Sequence, residues 1–344
     1  MAEMRGRAGA VSAVIVLAVT AVAVLAFVVF RNDAAGPATP ADTSGPATST
    51  SAPTVAPVLS PFTGRPVRAA QPVLAVKIDN VRPARPQTGL NSADIVYVEP
   101  VEGGLSRIMG IFSSTLPTRI GPVRSARESD LELLAQYGKP GLVYSGANKT
   151  VLSAIRKASV VDLSPNRVSS AYSRSSSKPA PHNLMVDPGR LVGRDGISDA
   201  KDIGFRFGAL PTGQGTPTQR KVVRYGAAST TFTWSAKRHL WEVSFDGRAA
   251  TTTDGGRLGA STVIIQYTKI TSSTLHDVLG NATPFTQTVG SGTAVVLRDG
   301  VAVNARWSRP SVGAGTAFTT TTGAALPFAT GQVWVIYAKS PSGQ

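Results

Sequence analysis

Three hydrophobic patterns follow one another along the chain. Val11 to Phe30 is a continuous apolar run in which only Ser12 and Thr20 are polar. As a helix it would be about 30 Å long, the thickness of one bilayer core. Residues 31–60 show no apolar period. They are Pro, Ala, Thr and Ser with too few large side chains to offset the entropy of ordering, which predicts a disordered tether. From residue 61 the apolar residues recur in short runs with the period of strands. Pro72–Asp79, Ala93–Pro100, Leu105–Phe112 and Gly141–Gly146 read as strands. Helical spacing intervenes at Leu131, Leu133, Leu134 and Tyr137 before Gly138, and again over Lys149–Ala158 behind Asn148 as cap. Asp187-Pro188 opens a further short helix.

After Gly213-Gln214-Gly215-Thr216-Pro217 the helical period disappears. Thr- and Val-rich strands are expected at Lys221–Tyr225, Thr230–Trp234, Leu240–Phe245, Thr262–Ile270, Thr286–Val289, Ala294–Leu297, Val301–Trp307 and Val333–Ala338. Asp299-Gly300 is a hairpin turn. GSGTA at 290–294 reads as a turn, not a dinucleotide fingerprint, because no helix follows it. The expected fold class is therefore α+β: an α/β N-terminal module over 61–210 and a mainly β C-terminal module over 211–344. Before them come a cytoplasmic N-terminus (1–10), a single transmembrane helix (11–30) and the disordered linker (31–60).

Charge and composition narrow the setting. The chain has no cysteine, which excludes disulfides, thiolate chemistry and Cys-based metal sites. Residues 1–60 carry three Arg against three acids, so the net +15 falls wholly on 61–344. A basic surface attracts anionic polymers, lipid headgroups or nucleic acid, although scattered charges are equally a compositional habit. Arg5 and Arg7 ahead of the apolar run place the N-terminus inside and the bulk of the chain outside the cell membrane, single-pass. The competing reading is a removed signal peptide with a weak cleavage site at Ala34-Ala35-Gly36. Three dispersed histidines give no metal spacing, and neither GxxxxGK[ST] nor GxSxG occurs, so no cofactor is expected.

Candidate chemistry gathers between Lys77 and Arg127. Lys77 and Asp79 share one strand face. Asp79-Asn80 closes that strand, either as a turn cap or as a functional end. Arg85 and Gln87 follow in a Pro-stiffened loop. Glu99 ends the second strand, Glu102-Gly103-Gly104 turns into the third, and Arg107 lies within it, pairing with Glu99 or Glu102 unless it serves a ligand. Ser125 and Glu128 fit a capping box, which sets Arg124 and Arg127 at a helix start that by itself disfavours cations. Their counter-charge is either a ligand anion or Asp79, Glu99 or Glu102 of this chain. His182 and Asn183 sit in a long Ser-rich segment, a place where function or disorder is usual.

These motifs in this order resemble the YerB-like lipoproteins of the bacterial envelope, built on domain of unknown function 3048. The resemblance is carried by Ile78-Asp79-Asn80, Ala84-Arg85-Pro86-Gln87, Ala93-Asp94-Ile95-Val96-Tyr97, Glu102-Gly103-Gly104, Gly121-Pro122-Val123-Arg124-Ser125-Ala126-Arg127 and Pro181-His182-Asn183. Gly290-Ser291-Gly292, Arg298-Asp299-Gly300 and Trp307-Ser308-Arg309 extend it, so that it covers about residues 60–340. It implies a mixed, β-rich three-layer sandwich and carries over no activity. A lipoprotein needs a lipidated Cys, which this sequence lacks.

Two functions are weighed. The first is a membrane-anchored extracytoplasmic binding module for an anionic envelope component or a small anion. Arg85, Arg107, Arg124, Arg127 and Ser125 would serve it, with Asn80, Gln87, Glu99 and Asn183 supplying further contacts. The second is an acid–base hydrolase or transferase acting on envelope glycopolymers, with Asp79, Glu102 and His182 as candidate catalytic groups. Nucleic acid is disfavoured, because no aromatic residues interleave with the basic ones.

Overall fold

Eight of the twelve strands expected from the sequence join one large mixed sheet, the three over 221–245 belong to a second sheet, and the one expected at Thr286–Val289 gives way to a strand over Ala282–Thr286 in a separate hairpin. The computed structural model describes residues 57–277 and 280–340. The expected anchor over 11–30 and almost all of the 31–60 linker lie outside them. Among the described residues no helix is long and apolar enough to cross a membrane.

The central strands are β1 (Leu74–Asp79), β2 (Ile95–Pro100), β3 (Ser106–Phe112), β4 (Gly141–Val143) and β5 (Val161–Asp162). A hairpin of β6 (Tyr172–Arg174) and β7 (Leu184–Val186) follows, then the short β8 (Thr216–Pro217). Next come β9 (Arg220–Arg224), β10 (Ser229–Ser235), β11 (Leu240–Phe245), β12 (Thr262–Thr268), and the hairpin β13 (Ile270–His276) and β14 (Ala282–Thr286). The chain closes with β15 (Gly290–Arg298), β16 (Val301–Arg309), β17 (Ala317–Thr320) and β18 (Val333–Lys339).

The eleven-stranded sheet runs β8-β16-β15-β12-β18-β2-β3-β1-β4-β5, with β17 on the flank of β16. Pairing is parallel at β12–β18, β18–β2, β1–β4 and β4–β5, and antiparallel at the other joins. Alternation along the strands divides the core between its two faces. Leu74, Val76, Ile78, Val96, Val98 and Ile108 pack with Phe232, Trp241, Val243 and Phe245 of the second, five-stranded sheet, to which β9–β11 belong. On the other face Ala75, Ile95, Tyr97, Met109 and Ile111 meet Leu133, Leu134, Tyr137, Val151 and Ile155.

The fold class needs correction. The protein is mostly β, with 42% strand and 11% helix. The α/β character expected of the first half is not there. Among the described residues there are two α-helices, α1 (Glu128–Leu134) and α2 (Lys149–Ile155), of seven residues each. Helices of two turns do not stand alone in water, and these are held by docking their apolar side on the sheet. The helical spacing up to Tyr137 continues only as a 3₁₀ turn, and Pro188–Arg190 is likewise 3₁₀. GSGTA opens strand β15 and is not a turn. Asp299-Gly300 does form the expected hairpin turn: both residues have positive φ (46° and 77°), and Arg298 pairs with Val301.

Candidate functional site

Strand register builds the site. Asp79 of β1 and Glu99 of β2 both lie opposite Arg107 of β3. The three side chains therefore form one row, on the sheet face that carries the helices. Lys77 stands one step inward on the same face, opposite Met109. All four are buried.

Beyond Val76, where β4 ends its pairing with β1, the segment around Pro122–Arg124 takes over that edge. Asp79 N–H donates to Pro122 O (2.9 Å) and Arg124 N–H to Lys77 O (2.8 Å). This backbone pairing lays Arg124 beside Asp79, with Arg124 Nε 3.0 Å from Asp79 Oδ2. The same segment holds the β6–β7 hairpin, since Val123 N–H donates to Leu184 O (2.6 Å). The hairpin in turn delivers His182, whose Nδ1 lies 2.8 Å from Asp79 Oδ2. One fully buried carboxylate oxygen thus meets a guanidinium and an imidazole. Arg124 and His182 are partly exposed above it, their side chains 26% and 19% accessible.

A second pair stands alongside. Arg127 binds Glu102 as a fork, Nε to Oε1 at 2.7 Å and Nη2 to Oε2 at 2.8 Å. Thr283 Oγ1 donates to the same Oε1 at 2.7 Å. Burial opposes the charge on Glu102, but the hydrogen bonds from Arg127 and Thr283 outweigh it and hold the carboxyl below its ordinary range.

Arg107 lies between the two pairs. It is 6% exposed, makes no ion pair within 4.0 Å, and its Nε has no hydrogen-bond partner. Burial, and after it the charge of Arg127, push its guanidinium down to about 10, with Asp79 opposing. Its strand neighbour Glu99 turns away to Lys77, which also donates to Asp130 Oδ1 (2.6 Å). Burial outweighs the attraction of Asp130 and lowers the Lys77 ammonium to about 8.

The remaining candidates serve as supports. Gln87 Nε2 donates to Asp79 O (3.2 Å) and Asn80 Oδ1 (2.9 Å), and Asn80 Nδ2 donates to Ser106 Oγ (2.9 Å). Arg85 is tied to the second sheet, with Nη1 2.7 Å from Asp246 Oδ2 and its guanidinium 4.8 Å above the Phe245 ring. Asn183 braces its own hairpin, accepting from Arg174 Nη1 (2.7 Å) and donating to Ser175 O (3.2 Å). Ser125 is not a cap. The helix starts three residues later, and Asp130 Oδ2 accepts the Arg127 N–H at 2.7 Å, as a carboxylate at the third helical position can.

Sequence reading left Lys77, Asp130, Thr283 and Asp246 out of the site. Only Lys77 carried a signal, a lysine in an apolar strand on the same face as Asp79. Asp130 lies three residues beyond Arg127 in the helix, and Thr283 and Asp246 arrive from distant segments. Of the two glycines behind Glu102, Gly104 approaches backbone closely, but it is the chain's own: a Cβ on Gly104 would lie 2.8 Å from Gly226 Cα. Among the described residues no group of three or more His, Asp or Glu could hold a metal.

Comparison with known proteins agrees with this architecture. Residues 62–201 match the model described as Protein of unknown function (DUF3048) N-terminal domain, and residues 221–335 match its C-terminal domain. "Putative lipoprotein YerB" of Bacillus subtilis (strain 168) is 47% identical over 73 residues, which span 21% of this chain and 22% of that relative's length. A crystal structure of the YerB protein from Bacillus subtilis superposes with a TM-score of 0.69 at 21% identity. It covers 82% of this chain and 96% of that one, a likeness of fold. With both domain models matched in order across most of its length, the chain belongs to the DUF3048 family of proteins of unknown function.

Proposed function

We propose that the protein is an extracytoplasmic envelope protein that binds a small anion, or the anionic group of an envelope component, at Arg107, Arg124 and Arg127. The location rests on the relative named as a lipoprotein; with no cysteine in these 344 residues, the lipid itself does not transfer. The observation that carries the binding reading is Arg107. A guanidinium removed from water is costly unless it is paired, and this one has no carboxylate within ion-pair distance. Arg124 and Arg127 already have Asp79 and Glu102 as partners, so they flank the anion site and do not carry it.

Thermal melts of the full chain with inorganic phosphate test the reading. A ligand at a hundred times its Kd stabilises the folded state by about 2.7 kcal/mol. The wild type should melt higher in phosphate, the Arg107→Met variant should lose that shift, and a control at exposed Arg306 should keep it. An equal phosphate shift in wild type and Arg107→Met would overturn the assignment.

The contact between Asp79 and His182 favours a second reading, acid–base hydrolysis or transfer on an envelope glycopolymer. A carboxylate on Nδ1 fixes the imidazole and leaves Nε2 as the working atom. Under it, His182→Gln would abolish turnover and preserve the phosphate shift.

A further inference from the structure

A cavity of about 550 Å³ opens on the far side of the Glu102–Gly104 turn, well within the range of about 300–1,000 Å³ usual for small-molecule sites. Of the charged residues described above, Glu102 alone reaches it. Its walls come from both halves of the chain: the turn itself, strand β9, and the ends of β12, β13 and β18. The lining is mixed polar and apolar, and its apolar part comes from Val223 and Ile265, which are buried, and Tyr267 and Ile270, which are half-buried. Lys221, Arg224 and Lys339 also line it, and among the described residues none of them makes an ion pair or a side-chain hydrogen bond. The carboxylate in the lining, Glu102, is already held by Arg127 and Thr283.

We propose that this cavity is a second ligand site, and that its ligand is an amphipathic anion: an acidic head held by Lys221, Arg224 and Lys339, with an apolar body against Val223, Ile265 and Ile270. A purely ionic ligand would leave the apolar part of the lining unused. A neutral one would make no use of the three cations gathered around one opening. Apolar contact and charge-assisted hydrogen bonds would share the binding, the charged groups fixing the orientation. The site does not depend on the anion reading at Arg107, from which the Glu102–Arg127 pair separates it.

The test uses the full chain and n-octyl phosphate, titrated calorimetrically, with inorganic phosphate, octanol and phosphatidylglycerol vesicles as comparisons. Octyl phosphate should bind saturably at one tight site per chain, more tightly than either phosphate or octanol, and this tight site is the one the variants address. The double change Lys221→Glu with Arg224→Glu should weaken it about tenfold or more, and Lys339→Glu, on a separate strand, should weaken it independently. Arg107→Met should leave it unchanged, and the double variant should keep any phosphate-dependent shift in melting. The proposal is overturned if octyl phosphate binds no better than octanol, or if both charge reversals leave its affinity intact. Binding to vesicles without binding of monomeric octyl phosphate overturns it as well, because the three cations would then be an ordinary basic surface.

Discussion

Arg107 and Lys77 are buried cations of opposite kinds, and each makes a distinct forecast. Lys77 is wholly inaccessible and has two carboxylates, Glu99 and Asp130, within reach. Arg107 has none. Replacing an unpaired buried charge by an apolar side chain of similar length removes a desolvation cost of about 1–3 kcal/mol. Arg107→Met should therefore raise the unfolding free energy by roughly that much in urea melts without ligand, while abolishing the phosphate response; residues kept for binding at the expense of stability behave this way. A marked loss of stability would show instead that the guanidinium is satisfied within the fold. Lys77 is read through pH. Its folded-state value, about 8, lies below the ordinary 10.5, so between these values the unfolded chain binds more protons. The unfolding free energy should then rise with pH across that window, by about 2 kcal/mol between pH 8 and 10. Above pH 10 the trend is opposed, because burial pushes the hydroxyl of Tyr97 up to about 12 and those of Tyr137 and Tyr225 up as well. A flat or falling profile between pH 8 and 10 would contradict the buried position of Lys77.

At the scale of the element, Gly103 and Gly104 separate two roles that look alike in sequence. Both have left-handed φ, 67° and 68°. A Cβ on Gly103 meets nothing within 4 Å, so Gly103→Ala costs only the conformational term, about 1 kcal/mol. A Cβ on Gly104 meets Gly226 Cα at 2.8 Å and Ala227 N at 2.9 Å, backbone that cannot move without breaking the bond from Ala227 N–H to Gly104 O. Gly104→Ala should cost more, by about 2 kcal/mol or above in urea melts, and equal costs for the two would refute the contact. What the sequence discloses divides along similar lines. The strands around Lys77, Tyr97 and Trp307 were legible because their two-residue period is local. So was the common face of Lys77 and Asp79, which needs only parity. The hairpins β6–β7 and β13–β14 escaped notice because β6 and β13 are largely exposed and carry little apolar alternation, β7 is a buried apolar stretch of only three residues, and β14 is interrupted by Pro284. Asp79 was legible as one of three possible partners of Arg124, but not as the one chosen. That choice depends on a backbone pairing between Lys77 and Arg124, and non-local pairing leaves no mark on either segment.

The large sheet decides how the molecule holds together. Family models divide the chain between residues 201 and 221, and the sequence pattern changes near Gly213, yet the described residues cluster as one compact unit. The reason is β18. It pairs in parallel with β12 on one side, Val333 beside Thr262, and with β2 on the other, Val333 beside Ile95. Its Trp334 is fully buried against Phe232 and Phe245 of the second sheet. Without the second half, β2 would present Ile95, Tyr97 and a row of unpaired backbone groups as an open edge, and the apolar face of Val76, Ile78 and Val98 would lose its cover. A fragment of residues 57–212 should accordingly show no cooperative melt by itself. Mixing it with residues 213–340 should restore a single transition, since the pairing surfaces are extensive and need no covalent link. The connection at Pro211–Gly213 is exposed, so limited cleavage there should leave two pieces that still elute together. A fragment of 57–212 that melts cooperatively as a monomer would mean that the halves fold separately and that β18 only docks them.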